Sequence, residues 1–193
     1  MEGKEKILKN ALELYSILEP GVSLNAMVDI MGKDTFYELL NSYGGLTITF
    51  PSYEELNQNN LVTDSIPLDV MAEILDTDIF HDVLNVYRGC TISIPTYNVV
   101  RQNELLLASK DIIDKDPDID WVGIKDHLDI TKKKGYKSAS NHFSSISFAR
   151  RINSLSGNEK DEVRHKFNAI VESIKSLNMT ENDWNNFFNE DDS

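Results

Sequence analysis

Apolar positions along this chain change period in a regular order. Ile7, Leu8, Ala11, Leu12, Leu14, Tyr15 and Leu18 form an i, i+3/4, i+7 stripe and predict a helix over 4–18, which Glu19-Pro20-Gly21 ends. A short helix over Leu24–Met31 follows, with Ser23 as its cap. Asp34 is expected to cap the next helix, in which Phe36, Leu39, Leu40 and Tyr43 share one face. Gly45 then closes that helix where a left-handed residue is wanted. From Leu46 to Phe50 the period becomes two, with hydroxyl residues between apolar ones. This is a strand with one buried face, ended by Pro51, and Ser52 can cap a following helix.

The same order then recurs. Residues 24–61 align without a gap on 68–105 at a constant offset of 44, with sixteen of 38 positions identical. The second copy has a helix over Leu68–Leu75, Asp78 as cap, and Phe80, Val83, Leu84 and Tyr87 on one helical face. Gly89, the strand Cys90–Ile94, Pro95 and a longer helix over 97–110 complete it. One supersecondary unit used twice implies internal pseudo-two-fold symmetry. A lone five-residue strand leaves backbone groups unpaired, so the two copies' strands are expected to pair with each other. Pairing between two chains, hence a homodimer, is the alternative.

Beyond the repeat, Asp111–Asp120 reads as an acidic linker. Its carboxylates lack the glycine and closing Glu of a calcium loop. Residues 121–155 read helix–turn–helix: Trp121, Ile124, Leu128 and Ile130 on a first apolar face, a basic turn around Gly135, then a helix from Ser138 to Leu155. A last helix over 159–177 carries Val163, Phe167, Ile170, Val171, Ile174 and Leu177 on one face. Residues 178–193 read as an acidic tail around Trp184, Phe187 and Phe188. The expected fold class is α+β, mostly α: a duplicated helix–helix–strand–helix unit with a two-stranded ribbon, then a helical, helix-turn-helix-like C-terminal domain. The expected domains are 1–110, with the repeat as a dimerisation-like scaffold; a linker over 111–120; a helical domain over 121–177; and the tail.

Charge sharpens this division. The formal net charge is −13. Residues 1–100 carry five Lys/Arg against fifteen Asp/Glu, whereas 132–151 holds Lys132, Lys133, Lys134, Lys137, Arg150 and Arg151 and no acid. Short polar side chains such as Asn141 and His142, between flanking cations, suit a helix that reads base edges while Lys and Arg hold phosphates. The competing account is an amphipathic helix with a solvated cationic patch, or one that docks on an acidic segment of the same chain. In the tail, aromatics set in acid suit docking on a basic grooved partner through Trp184, Phe187 and Phe188, or packing back on the last helix.

No catalytic constellation stands out, so a non-enzymatic protein without cofactors is expected. No phosphate-cradling glycine motif is present, and His81, His127, His142 and His165 form no zinc spacing. Glu162 and His165 read as a surface pair. The single cysteine, Cys90, reads as a small core residue, like its counterpart Leu46. One thiol permits no internal disulfide, no apolar run is long enough to span a membrane, and the first residues are polar. A soluble, cytoplasmic protein is expected.

The segment Phe36-x-x-x-Leu40-x-x-Tyr43-Gly44-Gly45-Leu46-Thr47-Ile48-x-x-Pro51 resembles the helix, Gly-Gly, strand, Pro signature of Mor-type phage transcription activators. Tyr87-Arg88-Gly89-Cys90-Thr91-Ile92-Ser93-Ile94-Pro95 repeats it with Arg in place of the first Gly. The resemblance covers residues 24–100. It implies an intertwined dimerisation region with a short strand and a C-terminal DNA-binding helix-turn-helix, here with the dimerisation unit duplicated. A phage-type transcription regulator in the host cytoplasm follows as the expectation. Duplex DNA would be its partner, contacted by Lys132, Lys133, Lys134, Lys137, Asn141, His142, Arg150 and Arg151. RNA polymerase or another protein would meet the acidic tail. The alternative is a non-catalytic adaptor or assembly protein that binds proteins through its acidic repeat or aromatic tail.

Overall fold

The computed structural model describes residues 2–18, 21–52, 54, 71, 75–116, 118–119, 121–128 and 157–190. These residues are mostly helical, with one small antiparallel sheet, an α+β architecture dominated by α. In chain order they form α1 (Glu2–Leu18), α2 (Asn25–Met31), α3 (Lys33–Tyr43), β1 (Thr47–Thr49), α4 (Thr77–Tyr87), β2 (Thr91–Ser93), α5 (Tyr97–Lys115), α6 (Trp121–His127), α7 (Asn158–Lys175) and α8 (Glu181–Glu190). The chain divides into two compact units, Glu19–Tyr97 and a discontinuous one built from Met1–Leu18 and Asn98–Ser193.

In the unit Glu19–Tyr97, α3 and α4 occupy the same positions of the two copies, 44 residues apart, and so do β1 and β2. The helix–strand half of the repeat is therefore present twice. Most of the helix expected after Pro51, and most of that over 68–75, lies outside the described residues. Phe36, Leu39, Leu40 and Tyr43 are buried, as are Val83, Leu84 and Tyr87, while Phe80 is half-buried. The strands alternate exposed and buried positions, with Ile48 and Ile92 inward and Thr47, Thr49, Thr91 and Ser93 outward. Gly45 (φ 89°) and Gly89 (φ 70°) both adopt the left-handed conformation that closes the preceding helix.

Three local expectations are corrected. Asp34 and Asp78 lie inside the first turns of α3 and α4 and not at the caps, which are Gly32 and Asp76 and carry no side-chain cap bond. Both carboxylates still favour the positive end of the helix dipole, and that of Asp34 also pairs with Lys33 at 3.0 Å. Leu46 is 46% exposed and Cys90 half-buried, because both stand one residue before the regular strand begins and escape its buried face. Ser23 is not the cap of α2, which is Leu24 and carries no side-chain cap bond; the Ser23 Oγ only accepts from the Asn25 N–H at 3.3 Å.

In the other unit, α1 packs against α7, with Ile7, Leu8, Ala11, Leu12 and Leu14 buried on one side and Phe167, Ile170, Val171 and Ile174 on the other. The α1 stripe therefore groups with the C-terminal helices and with the end of the repeat from Asn98 onward, apart from Glu19–Tyr97. The acidic stretch is also no linker at its start. α5 continues through Asp111 to Lys115, held by the buried Ile112 and Ile113. Every side chain from Asn103 to Ser109 is buried, so this helix is covered on all sides there.

Candidate functional site

The ribbon is the best-defined device of the unit Glu19–Tyr97. Its register pairs Thr47 with Ser93, Ile48 with Ile92 and Thr49 with Thr91. The Phe50 N–H donates to the Cys90 carbonyl and the Ile94 N–H to the Leu46 carbonyl, each at 2.8 Å. The helices cross-brace it. α2, from the first copy, packs on α4, from the second. Tyr87 of α4 donates its hydroxyl proton to the Ser23 carbonyl at 2.8 Å and accepts from the Met27 N–H at 3.0 Å. Burial pushes this phenol up to about 12, with the nearby Asp29 and Cys90 adding in the same direction and the Met27 N–H opposing. Its ring leans on Phe50, centroids 5.7 Å apart.

The second unit is organised around charge that is buried. Arg101 (2% exposed) donates from Nη1 to Oε2 of Glu104 (0%) at 2.7 Å, one helical turn along α5. The guanidinium lies 5.3 Å from the Phe187 ring centroid and 5.9 Å from that of Phe188, within cation–π reach. Asn103 beside it donates to the Ala11 carbonyl at 3.1 Å, fastening α5 to α1. Sequence reasoning missed this pair, although the repeat held a signal. Asn57 and Asn60 of the first copy become Arg101 and Glu104 of the second, two neutral residues replaced together by opposite charges at i, i+3.

The tail is not a tail. Thr180 and Asp183 form a reciprocal capping box: the Asp183 N–H donates to Thr180 Oγ1 at 3.2 Å, and the Thr180 N–H donates to Asp183 Oδ2 at 2.7 Å. The helix they start buries Trp184, Phe187 and Phe188 in mutual ring contact. The three rings expected to dock a partner are therefore interior, and α8 presents acid and Asn outward. A cleft of about 140 Å³ remains between α5, α7 and Trp184, with Leu107, Val171, Ile174 and Met179 as its apolar wall. Lys110, Asp111, Lys175 and Asn178 also line it, so the cleft is half polar.

Lys132, Lys133, Lys134, Lys137, Asn141, His142, Arg150 and Arg151 all lie outside the described residues, as does most of the expected helix-turn-helix. Its first helix is present as α6, with Ile124 and the following Leu128 buried. His81, His127 and His165 are exposed; Glu162 pairs with Lys166 at 2.8 Å rather than with His165. Among the described residues, no three His, Cys, Asp or Glu side chains converge on a metal position, and no helix is long and apolar enough to cross a membrane. No family model, curated protein or solved structure matches the chain.

Proposed function

We propose that the protein is a phage-type, DNA-binding transcription regulator without catalytic activity. In this reading each copy is a full helix–helix–strand–helix unit, the repeat is a scaffold, and a helix-turn-helix over 121–155 meets duplex DNA. The observation that carries it is charge segregation. Residues 132–151 hold six Lys/Arg and no acid, in a chain of net charge −13. A cationic stretch against so acidic a background concentrates the field where phosphates are bound. Lys132, Lys133, Lys134, Lys137, Arg150 and Arg151 hold the backbone, and Asn141 and His142 reach base edges.

Electrophoretic shift with duplex DNA across a salt series tests this. Each phosphate contact adds about 0.9 to the slope of log affinity against log salt. Replacing Lys132, Lys133 and Lys134 by Glu is expected to abolish the shift at moderate salt. Replacing them by Ala is expected to flatten the slope by roughly 3. Unchanged affinity in both variants sinks the assignment.

A second reading rests on a different observation. Residues 19–97 carry two Lys/Arg against twelve Asp/Glu, a surface suited to a basic protein partner. This adaptor reading predicts no DNA retention at moderate salt and a partner lost when Asp78 and Asp82 are replaced by Lys. The aromatic residues of α8 contribute to neither reading, since they are buried.

A further inference from the structure

Each strand of the ribbon faces its own duplicate. Ile48 stands opposite Ile92, the same residue of the repeat, and a half-turn about that point exchanges Thr47 with Thr91 and Thr49 with Ser93. The hydroxyl pairs Thr47–Ser93 and Thr49–Thr91, at 3.4 and 3.1 Å, are exchanged by the same rotation, and so are the two flanking backbone bonds. A patch that meets itself across a two-fold axis is what two identical subunits use to form an isologous dimer. Here one chain supplies both halves.

Beyond Leu46, 46% exposed at its end, the ribbon leaves little apolar surface for a second copy. Ile48, Phe50, Ile92 and Ile94 are already buried. In an antiparallel pair the backbone groups of 47, 49, 91 and 93 point to the outer edges. Those edges are three residues long, and Pro51 and Pro95 follow directly after Phe50 and Ile94. Very short edges bounded by proline are poor templates for further pairing. A tether between two partners also gives an effective concentration on the order of millimolar, well above that of a second chain in a micromolar solution. The scaffold is thus present twice per chain, while the basic segment 132–151 is present once.

We infer that the ribbon closes within one chain, so that the protein acts as a monomer with a covalent pseudo-dimeric scaffold and reads a single asymmetric DNA site rather than an inverted repeat. The DNA half of this statement rests on the function proposed above; the monomer half rests on the ribbon alone. Inverted repeats in an operator mirror two reading elements related by a two-fold axis. One reading element per closed scaffold removes the reason for them.

The full chain should be measured by sedimentation equilibrium and thermal melting from about 1 to 100 μM. The expected result is one species at the chain mass, 21.9 kDa, with a midpoint that does not move with concentration. Duplexes selected from a random library should then yield a motif without inverted symmetry, bound one chain per duplex. A species of twice that mass, a midpoint that climbs with concentration, or an inverted-repeat motif occupied by two chains overturns the inference. A monomer that retains no duplex even at low salt overturns the DNA reading and the asymmetric site with it, while upholding the closed ribbon.

Discussion

Arg101 and Glu104 are bonded at 2.7 Å inside the second unit, beneath the rings of Phe187 and Phe188. Removing one partner of such a pair strands a charge away from water, which costs about 3–5 kcal/mol, whereas replacing both by apolar residues is close to neutral. Glu104→Gln and Arg101→Met are therefore each expected to lower the urea midpoint strongly, and Arg101→Met/Glu104→Leu to restore most of it. A double variant as unstable as the singles would contradict this account.

Tyr87 sets a pH limit on the first unit. Its folded pKa is raised to about 12 by burial, from the ordinary 10. A raised value means that the folded state holds the proton more tightly, so the stabilisation is complete below pH 10 and is lost as pH rises through 12. The melting temperature should fall across that window. Tyr87→Phe should flatten the fall while costing about 1 kcal/mol at neutral pH, from the lost bonds to Ser23 and Met27.

Gly44 and Arg88 hold equivalent places, yet they are not exchangeable. A Cβ at Gly44 would meet the Leu40 carbonyl oxygen and lie 2.9 Å from Thr96 Cα and 3.1 Å from the Pro95 oxygen, all backbone atoms with no freedom to yield. Gly44→Ala should cost about 1–3 kcal/mol, and Gly44→Arg more. The reverse change, Arg88→Gly, gives up an exposed bond to Asn85 and should cost under about 1 kcal/mol. Denaturant midpoints of the reciprocal pair give the comparison; equal losses would argue against the close approach.

The α8 cap responds to acid. The Thr180 hydroxyl and N–H together hold the Asp183 carboxyl below the usual carboxylate range. A lowered value means that its contribution is present above the ordinary pKa and disappears as pH falls through the depressed one. Protection of the α8 amides, taken relative to their intrinsic exchange rate, should therefore fall in acid, and Asp183→Asn should lower it at neutral pH as well. Thr180→Ala should loosen the same helix by about 1 kcal/mol. Protection unchanged in both variants would remove the cap from the account of this helix.

The first unit was legible because its patterns are strong and stated twice. The period-3.6 faces of α3 and α4, the alternation around Ile48 and Ile92, and the closing Gly45 and Gly89 all fell where the spacing placed them. What escaped was decided by distant packing. Asp111–Lys115 carries the composition of a linker, but burial of Ile112 and Ile113 keeps it helical. In α8, Trp184, Phe187 and Phe188 do stand at i, i+3 and i+4, a helical face that the surrounding acid and Asn disguised as a tail. Nothing local predicts that a guanidinium from α5 lies against that face. The eight residues expected to touch DNA remain an expectation of charge and spacing alone, since they fall outside the described residues.

The discontinuity of the second unit has a consequence for synthesis. Met1–Leu18 leaves the ribosome well before its partners in Asn98–Ser193, and α7, which covers its apolar stripe, begins only at Asn158. The unit Glu19–Tyr97 is contiguous and can fold as soon as it emerges. Helix α1 thus waits for its cover, carrying Ile7, Leu8, Ala11, Leu12 and Leu14 exposed until α7 has been translated.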